Sequence, residues 1–305
     1  MHRRSILVTG ASGRIGRAIW RRLQARGDDP SGLDRNMGPA VRWLADIGDE
    51  TMLARACRGV DALVHTAALH APHVGHVPDD EFRRINVDAT RRLLEIATRA
   101  GVPRIVFTST TALYGDASIM PGRATWVDEA LTPAPRTIYH RTKFEAEALL
   151  REAAEQGGPS VRILRMSRCF PEPVNAMAVL RLHRGIDARD VADAHAKAVV
   201  HAGAGHATFV VSARTPFAPT DLEALVDDVP GVISHRCPAL AAAFSARGWS
   251  LPATIDRVYC ADAAMAALGW RPNFAWDDVL SQYDAGSDEA LPPAERYLVD
   301  GDLRD

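Results

Sequence analysis

Thr9-Gly10-Ala11-Ser12-Gly13-Arg14-Ile15-Gly16 follows directly on the apolar run Ile6-Leu7-Val8 and leads into a segment where Ile15, Ala18, Ile19 and Leu23 share one helical face. The order is strand, glycine turn, helix. Gly10 permits a tight turn off the strand, Gly13 lets backbone approach a phosphate with no Cβ in the way, and Gly16 lets the helix pack close to the sheet. The free N–H groups and the positive dipole end of the helix then face an anion. The spacing is G-x-x-G-x-x-G, a loose match to the commoner G-x-G-x-x-G, and alone it reads equally as a tight strand-to-helix connection. Signals further along the chain decide for a dinucleotide.

Composition sets the bounds. At 305 residues with 47% hydrophobic content, the chain can bury a large core and suits one α/β domain or two unequal ones. The net charge is −2, from 36 basic and 38 acidic residues, which gives no basis for a nucleic-acid or membrane-surface partner. No apolar run approaches a membrane span, and Met1-His2-Arg3-Arg4 lacks the long apolar core of a signal peptide, so a cytoplasmic location is expected. Cys57, Cys169, Cys237 and Cys260 are scattered, with neither a disulfide framework nor a zinc-site spacing.

Strand-like and helix-like segments alternate along the chain, the pattern of a Rossmann-type, doubly wound parallel sheet with helices on both faces. The second strand is expected over Pro30 to Leu33, ending at Asp34, despite the poor strand formers Asp29, Pro30 and Gly32. The reason is register: Asp34 lies where a carboxylate would take the adenosine ribose hydroxyls, which favours NAD over NADP, while Arg35 and Arg14 offset part of its repulsion of a 2′-phosphate. Strands are expected at Val41–Leu44, with Ala45-Asp46-Ile47 after it, and at Asp61–His65, ending in the small residues Thr66-Ala67-Ala68 that leave room for a cofactor. His70, His73 and His76 sit in a loop broken by Pro72 and Gly75, so they read as solvated or substrate-facing residues; no metal is expected. Phe82, Ile85, Ala89, Leu93, Ile96 and Ala100 predict a helix from about 79 to 100. The fifth strand, Arg104–Thr108, runs into the hydroxyl cluster Ser109-Thr110-Thr111 at a carboxyl strand end, where ligand-facing groups collect.

Tyr139-His140-Arg141-Thr142-Lys143 opens a further helix and puts a phenol and an ammonium on one face. A phenol with a pKa of about 10 is a poor base near neutrality, and a nearby cation favours the phenolate. The chain has only two lysines, Lys143 and Lys197, so this spacing is not an expected coincidence.

Together with Asp34, Asp46-Ile47, His65 to Ala68, Asn86-Val87, Thr108 to Gly115 and Leu268-Gly269-Trp270-Arg271-Pro272, these motifs resemble the extended short-chain dehydrogenase/reductase family, the nucleotide-sugar epimerases and dehydratases. The resemblance runs from near residue 5 to near 283. It implies that Tyr139 is the general acid/base, that Lys143 binds the nicotinamide ribose and lowers the tyrosine pKa, and that Thr110, with Ser109 as fallback, hydrogen-bonds the reacting oxygen. It implies a cofactor site made of Gly10, Ser12, Gly13, Arg14, Ile15, Gly16, Asp34, Arg35, Asp46, Ile47, Thr66, Ala67, Ala68, Asn86 and Thr108 with Tyr139 and Lys143, and Asn86 would be a structural, water-organising residue. Substrate contacts are expected from His70, Ser109, Thr111 and Arg168.

Two departures stand out. The family usually has Asn where this chain has Arg168, and only about eleven residues separate Pro173 from Gly185, where nucleotide-sugar enzymes carry a long insert. The segment Cys169 to Pro173 and this shortness are similar to uronate dehydrogenases, and Arg168, Arg181 or Arg184 could bind a carboxylate. The expected organisation is a dinucleotide-binding domain over 1–165 to which later segments contribute, a smaller interleaved substrate lobe over 166–285 that includes the strand-like Ala207–Val211, and a tail over 286–305. The expected activity is NAD-dependent hydride transfer at a hydroxyl-bearing carbon of a sugar or sugar acid; epimerisation or dehydration of a nucleotide sugar, and a non-catalytic NAD(P)-binding regulator, are the alternatives. A homodimer built from the helices near 79–100 and 136–157 follows from the resemblance.

Overall fold

A computed structural model describes residues 3–294. In chain order it contains β1 (Ser5–Thr9), α1 (Arg14–Ala25), β2 (Asp29–Asp34), β3 (Val41–Leu44), α2 (Glu50–Ala56), β4 (Ala62–His65), α3 (Asp79–Arg83), a π-helical turn (Arg84–Asp88), α4 (Ala89–Arg99), β5 (Arg104–Thr110), β6 (Thr125–Val127), α5 (Ile138–Glu155) and β7 (Ser160–Met166). There follow β8 (Glu172–Pro173), α6 (Val174–His183), α7 (Ala188–Val200), β9 (His206–Val211), α8 (Ala224–Asp227), α9 (Val229–Arg236), α10 (Pro238–Ala246), β10 (Arg257–Tyr259), α11 (Asp262–Leu268), α12 (Trp276–Asp284) and β11 (Ala290–Leu291).

Seven strands form one sheet in the order β3-β2-β1-β4-β5-β7-β9, with every neighbouring pair parallel. Side-chain alternation along the strands divides the core in two. Leu7, Leu63, Ile105, Phe107, Val161 and Ile163 pack under α2, α4 and α5, whereas Ile6, Val8, Val64, Val106 and Leu164 pack under α1, α7 and α11. Both faces are therefore dry, which is why these strands read as continuous apolar runs. The chain winds outward from β1 to β3 and then restarts at β4 on the other side of β1. The crevice at that reversal, at the carboxyl ends of the strands, is where a doubly wound sheet receives its ligand.

Poor strand formers do not stop β2. Its backbone pairs with β1 on one side and β3 on the other, Leu33 is buried, and a Cβ on Gly32 would lie 2.2 Å from the Ala40 carbonyl oxygen, so this glycine admits the loop leading to β3. Tertiary pairing outweighs local propensity here.

A second core belongs to the smaller lobe: Val174, Met177 and Leu182 of α6 with Leu225, Val229, Ile233, Leu240, Phe244, Val258, Val279 and Leu280. Two short parallel pairs, β6 with β10 and β8 with β11, join segments far apart in sequence. The division expected from the sequence needs three corrections. β9, expected in the smaller lobe, is the outer strand of the large sheet, and α7 before it packs against α1. The short stretch from Pro173 to Gly185 is a helix, α6, every residue of which is buried. The tail assigned to 286–305 begins with β11, a strand bound to β8; its part from 295 onward lies outside the described residues.

Candidate active site

The carboxyl ends of β1, β2, β4, β5 and β7 open into a cleft of about 740 Å³, within the usual range of about 300–1,000 Å³ for small-molecule sites. At one end is the glycine turn. Gly10 has φ +69°, and its amide donates to the Leu33 carbonyl at 2.9 Å; a Cβ on Gly16 would fall 2.1 Å from the Gly10 carbonyl oxygen. Gly16 therefore lets the helix close on its own entry turn. The N-cap of α1 is Gly13, with no side-chain cap and no acidic residue in the first turn, so the helix start is open to an anion.

Beside it, Asp34 at the end of β2 accepts the amides of Ser12 at 2.9 Å and Asn36 at 2.8 Å. The carboxylate is thereby fixed at the cleft edge, where it fits a ribose diol. Asp46 accepts the Gly48 amide at 2.8 Å and faces Arg84 at 3.3 Å; Ile47 is buried against the same wall. Thr66 donates to the Thr9 carbonyl at 2.6 Å, holding Ala67 and Ala68 over the sheet. Arg14 faces the cleft and is ion-paired with Glu289, just before β11. Turn, carboxylate and small residues fit an extended dinucleotide.

Thr137 caps α5, accepting the His140 amide at 3.2 Å, and fixes Tyr139 in the first turn with Lys143 one turn on. Both line the cleft. Lys143 is 3% exposed; its Nζ donates to the Thr108 carbonyl at 2.7 Å and sits 3.9 Å from the centre of the Phe107 ring. Burial pushes its pKa down to about 7, against the upward pull of Glu147 a turn further along. Three of the expected hydroxyls are already engaged. The Thr110 oxygen accepts the Ala112 amide at 3.1 Å at the lip of the cleft, Thr111 donates to the Met166 carbonyl at 3.4 Å, and Ser109 donates at 2.6 Å to the buried carboxylate of Glu147. Arg165 clamps that carboxylate at 3.0 and 2.8 Å and reaches the Tyr114 hydroxyl at 3.0 Å.

Of the residues expected at the site, all but Asn86 and Arg181 line this cleft. Asn86 is buried in the π turn. It accepts the Leu69 amide at 2.8 Å and donates to the Leu69 carbonyl at 2.9 Å and to Thr142 at 3.1 Å, fastening the loop after β4 to α5 behind the cleft. Its role here is architectural.

The rest of the lining includes His70, His73, Met166, Ser167, Arg168, Phe170, Arg184 and Tyr259, with Cys169 against Arg14 of α1. His70 lies 4.5 Å from His73 and 6.1 Å from Phe170 between ring centres, and burial, with His73 and Lys143 nearby, lowers its pKa to about 4. Arg168 binds Glu172 at 2.5 Å and lies over Phe170. Arg184, at the end of α6, is buried 3.7 Å from Asp256, while Arg181 turns away to Asp187 at 3.3 Å. Among the described residues no three His, Cys, Asp or Glu side chains gather as a metal site requires. Met37 and Tyr259 carry no sequence signal; Tyr259 reaches the cleft only because β10 pairs with β6.

A model of the NAD dependent epimerase/dehydratase family matches residues 6–177. Sterol demethylase protein B of Methylococcus capsulatus is 37% identical over 153 residues, 46% of this chain and 44% of that protein. UDP-glucose 4-epimerase of Azospirillum brasilense is 33% identical over 170 residues, 52% and 47% of the two chains. The chain thus spans under half the length of these relatives. Among solved structures, a short-chain dehydrogenase/reductase superfamily protein from Agrobacterium tumefaciens with bound NAD has a TM-score of 0.69 at 22% identity, over 92% of this chain and 96% of that one. UDP-glucose 4-epimerase of Thermus thermophilus in complex with NAD has a TM-score of 0.65 at 23% identity, over 90% and 99%. The fold is the same throughout. No helix of the described residues is long and apolar enough to cross a membrane.

Proposed function

From a chain that belongs to the NAD dependent epimerase/dehydratase family, we propose an NAD-dependent oxidoreductase that acts on a hydroxyl-bearing carbon of a sugar or sugar acid, with Tyr139 as general acid/base. The observation that carries this reading is one cleft lined together by the glycine turn, Asp34, Tyr139, Lys143, Thr110, Arg168 and Arg184. NAD, when bound, supplies the hydride acceptor. Tyr139 takes the proton from the substrate hydroxyl as it is oxidised; Lys143, anchored on Thr108, in its protonated form favours the phenolate; Thr110 orients the reacting oxygen.

A small acidic substrate fits better than a nucleotide sugar. The segment where a nucleotide would be gripped is α6, whose residues are all buried in the chain's own lobe. Arg168 and Arg184 line the cleft, and their guanidinium groups are the donors suited to a substrate carboxylate. The relatives include both a sterol enzyme and a nucleotide-sugar epimerase, so the shared amino-terminal half leaves the substrate open. We further propose a homodimer through the outer faces of α3–α4 and α5.

The test is cofactor reduction with a panel of free sugars, sugar acids and nucleotide sugars. Steady NADH formation with a sugar acid is expected. Isomer exchange without net NADH would replace this reading by epimerisation. Tyr139→Phe should lower kcat by at least about a hundredfold while NAD affinity stays within about twofold; undiminished turnover would remove Tyr139 from the mechanism.

A further inference from the structure

Thr108, the last cleft residue of β5 before the hydroxyl cluster, is held from both sides of the sheet. Its carbonyl takes the Lys143 ammonium of α5 at 2.7 Å, and its hydroxyl lies 2.7 Å from Nε2 of His195 in α7. His195 is completely buried, and its Nδ1 lies 2.8 Å from the Val191 carbonyl. A carbonyl only accepts, so Nδ1 carries the ring hydrogen. Burial lowers the His195 pKa to about 4, so the ring is neutral and Nε2 offers only a lone pair. The Thr108 hydroxyl must therefore donate to His195, and its oxygen has only lone pairs left for the cleft it lines.

The same device recurs under the glycine turn. Thr90 donates to the Asn86 carbonyl at 2.8 Å, so His65 Nε2 donates to Thr90 at 3.0 Å, and the His65 Nδ1 lone pair takes the Thr9 hydroxyl at 2.7 Å. Threonines at the carboxyl ends of β1 and β5 are thus each oriented by a buried imidazole. An apolar residue would fill either place without the cost of burying a polar ring, so the imidazoles read as orienting groups.

We propose that His195 is a positioning residue: by fixing Thr108 it holds the carbonyl that anchors the Lys143 ammonium, and it leaves the Thr108 oxygen as an acceptor for a hydroxyl of the bound ligand. The proposal rests on the reading of Lys143 as a working residue. Lys143 also feels Glu147 on its own helix, with Arg165 and Arg151 on that carboxylate, His65 at the end of β4 and His70 in the loop after it.

Lysine labelled with carbon-13 at Cε tests this without substrate, because the chain has two lysines and Lys197 provides the internal control. In the intact protein Lys143 should titrate near pH 7. Thr108→Val and His195→Asn should each move that midpoint down by roughly half a unit or more, because a loosened carbonyl no longer favours the charged form, and should weaken NADH binding about threefold or more. His195→Gln, whose amide oxygen can still accept from Thr108, and Thr108→Ser should stay near wild type. The double variant Thr108→Val/His195→Asn should show no more than the larger single effect. If His195→Asn does not fold, the contrast of Thr108→Val with Thr108→Ser decides. An unchanged Lys143 midpoint in Thr108→Val overturns the proposal, as does an additive double variant. A shifted midpoint in a protein that oxidises no sugar would sink the substrate reading and leave this one standing.

Discussion

Tyr139 and Lys143 were readable in the sequence because helical geometry alone puts residues four apart on one face. The neighbouring hydroxyls were not. Ser109, the expected fallback for the reacting oxygen, spends its hydrogen on Glu147, 38 positions away, and no local pattern announces that bond. Thr110→Val should accordingly lower kcat at least about tenfold and also cost about 1 kcal/mol of stability, because the buried Ala112 amide loses its acceptor. Ser109→Ala should leave kcat nearly unchanged while costing about 1–2 kcal/mol in denaturant unfolding, because the Glu147 oxygen loses a buried partner. Lys143 carries its own cost. An unfolded-chain lysine titrates near 10.5 and Lys143 near 7, so between those values the unfolded chain binds the extra proton and stability rises with pH. Lys143→Met should therefore lose turnover yet melt above wild type at pH 7, and the gap should close as the pH approaches 10. Equal melting temperatures at pH 7 would argue against the depressed value.

Apolar periodicity announced α1 and α4, whose buried stripes face the sheet. It failed for α6, which is buried on every side and so has no polar face to set a period, and for β2, which is a strand only because β1 and β3 flank it. Nor does it reveal the π turn that interrupts the helix expected from 79 to 100. Such turns collect at functional sites, and this one carries Asn86, which ties Leu69 to Thr142. Asn86→Ala leaves the Leu69 amide and carbonyl and the Thr142 hydroxyl short of partners in the interior. It should cost about 2–4 kcal/mol in denaturant unfolding and weaken NAD binding severalfold by loosening the Ala67–His70 shelf. NAD affinity equal to wild type would mean that the shelf is held by other contacts.

At the scale of the molecule, three fully buried neutral histidines set the acid limit. His65 and His183 have their pKa values lowered to about 3 and His195 to about 4, all chiefly by burial. Each takes a proton near pH 6.5 only after unfolding, so stability falls as the pH drops below that value. Asp190, raised to about 6 by burial, acts in the opposite direction, as a single group. The net is about two protons, or about 3 kcal/mol per pH unit around pH 5. Urea midpoints measured from pH 7 to pH 4.5 should fall steeply; a flat profile would contradict neutral interior imidazoles. The doubly wound plan itself was legible from the alternation of segments, but the placement of β9 was not, since one strand pattern serves either body. That placement limits how such a chain can be re-engineered. A single cut after β7 would not release the substrate-side body, since it would also strip β9 from the sheet and leave the β7 edge open to pairing with other molecules. Grafting specificity from another protein onto this frame while keeping its own sheet therefore needs at least two splice points, one on each side of α7 and β9.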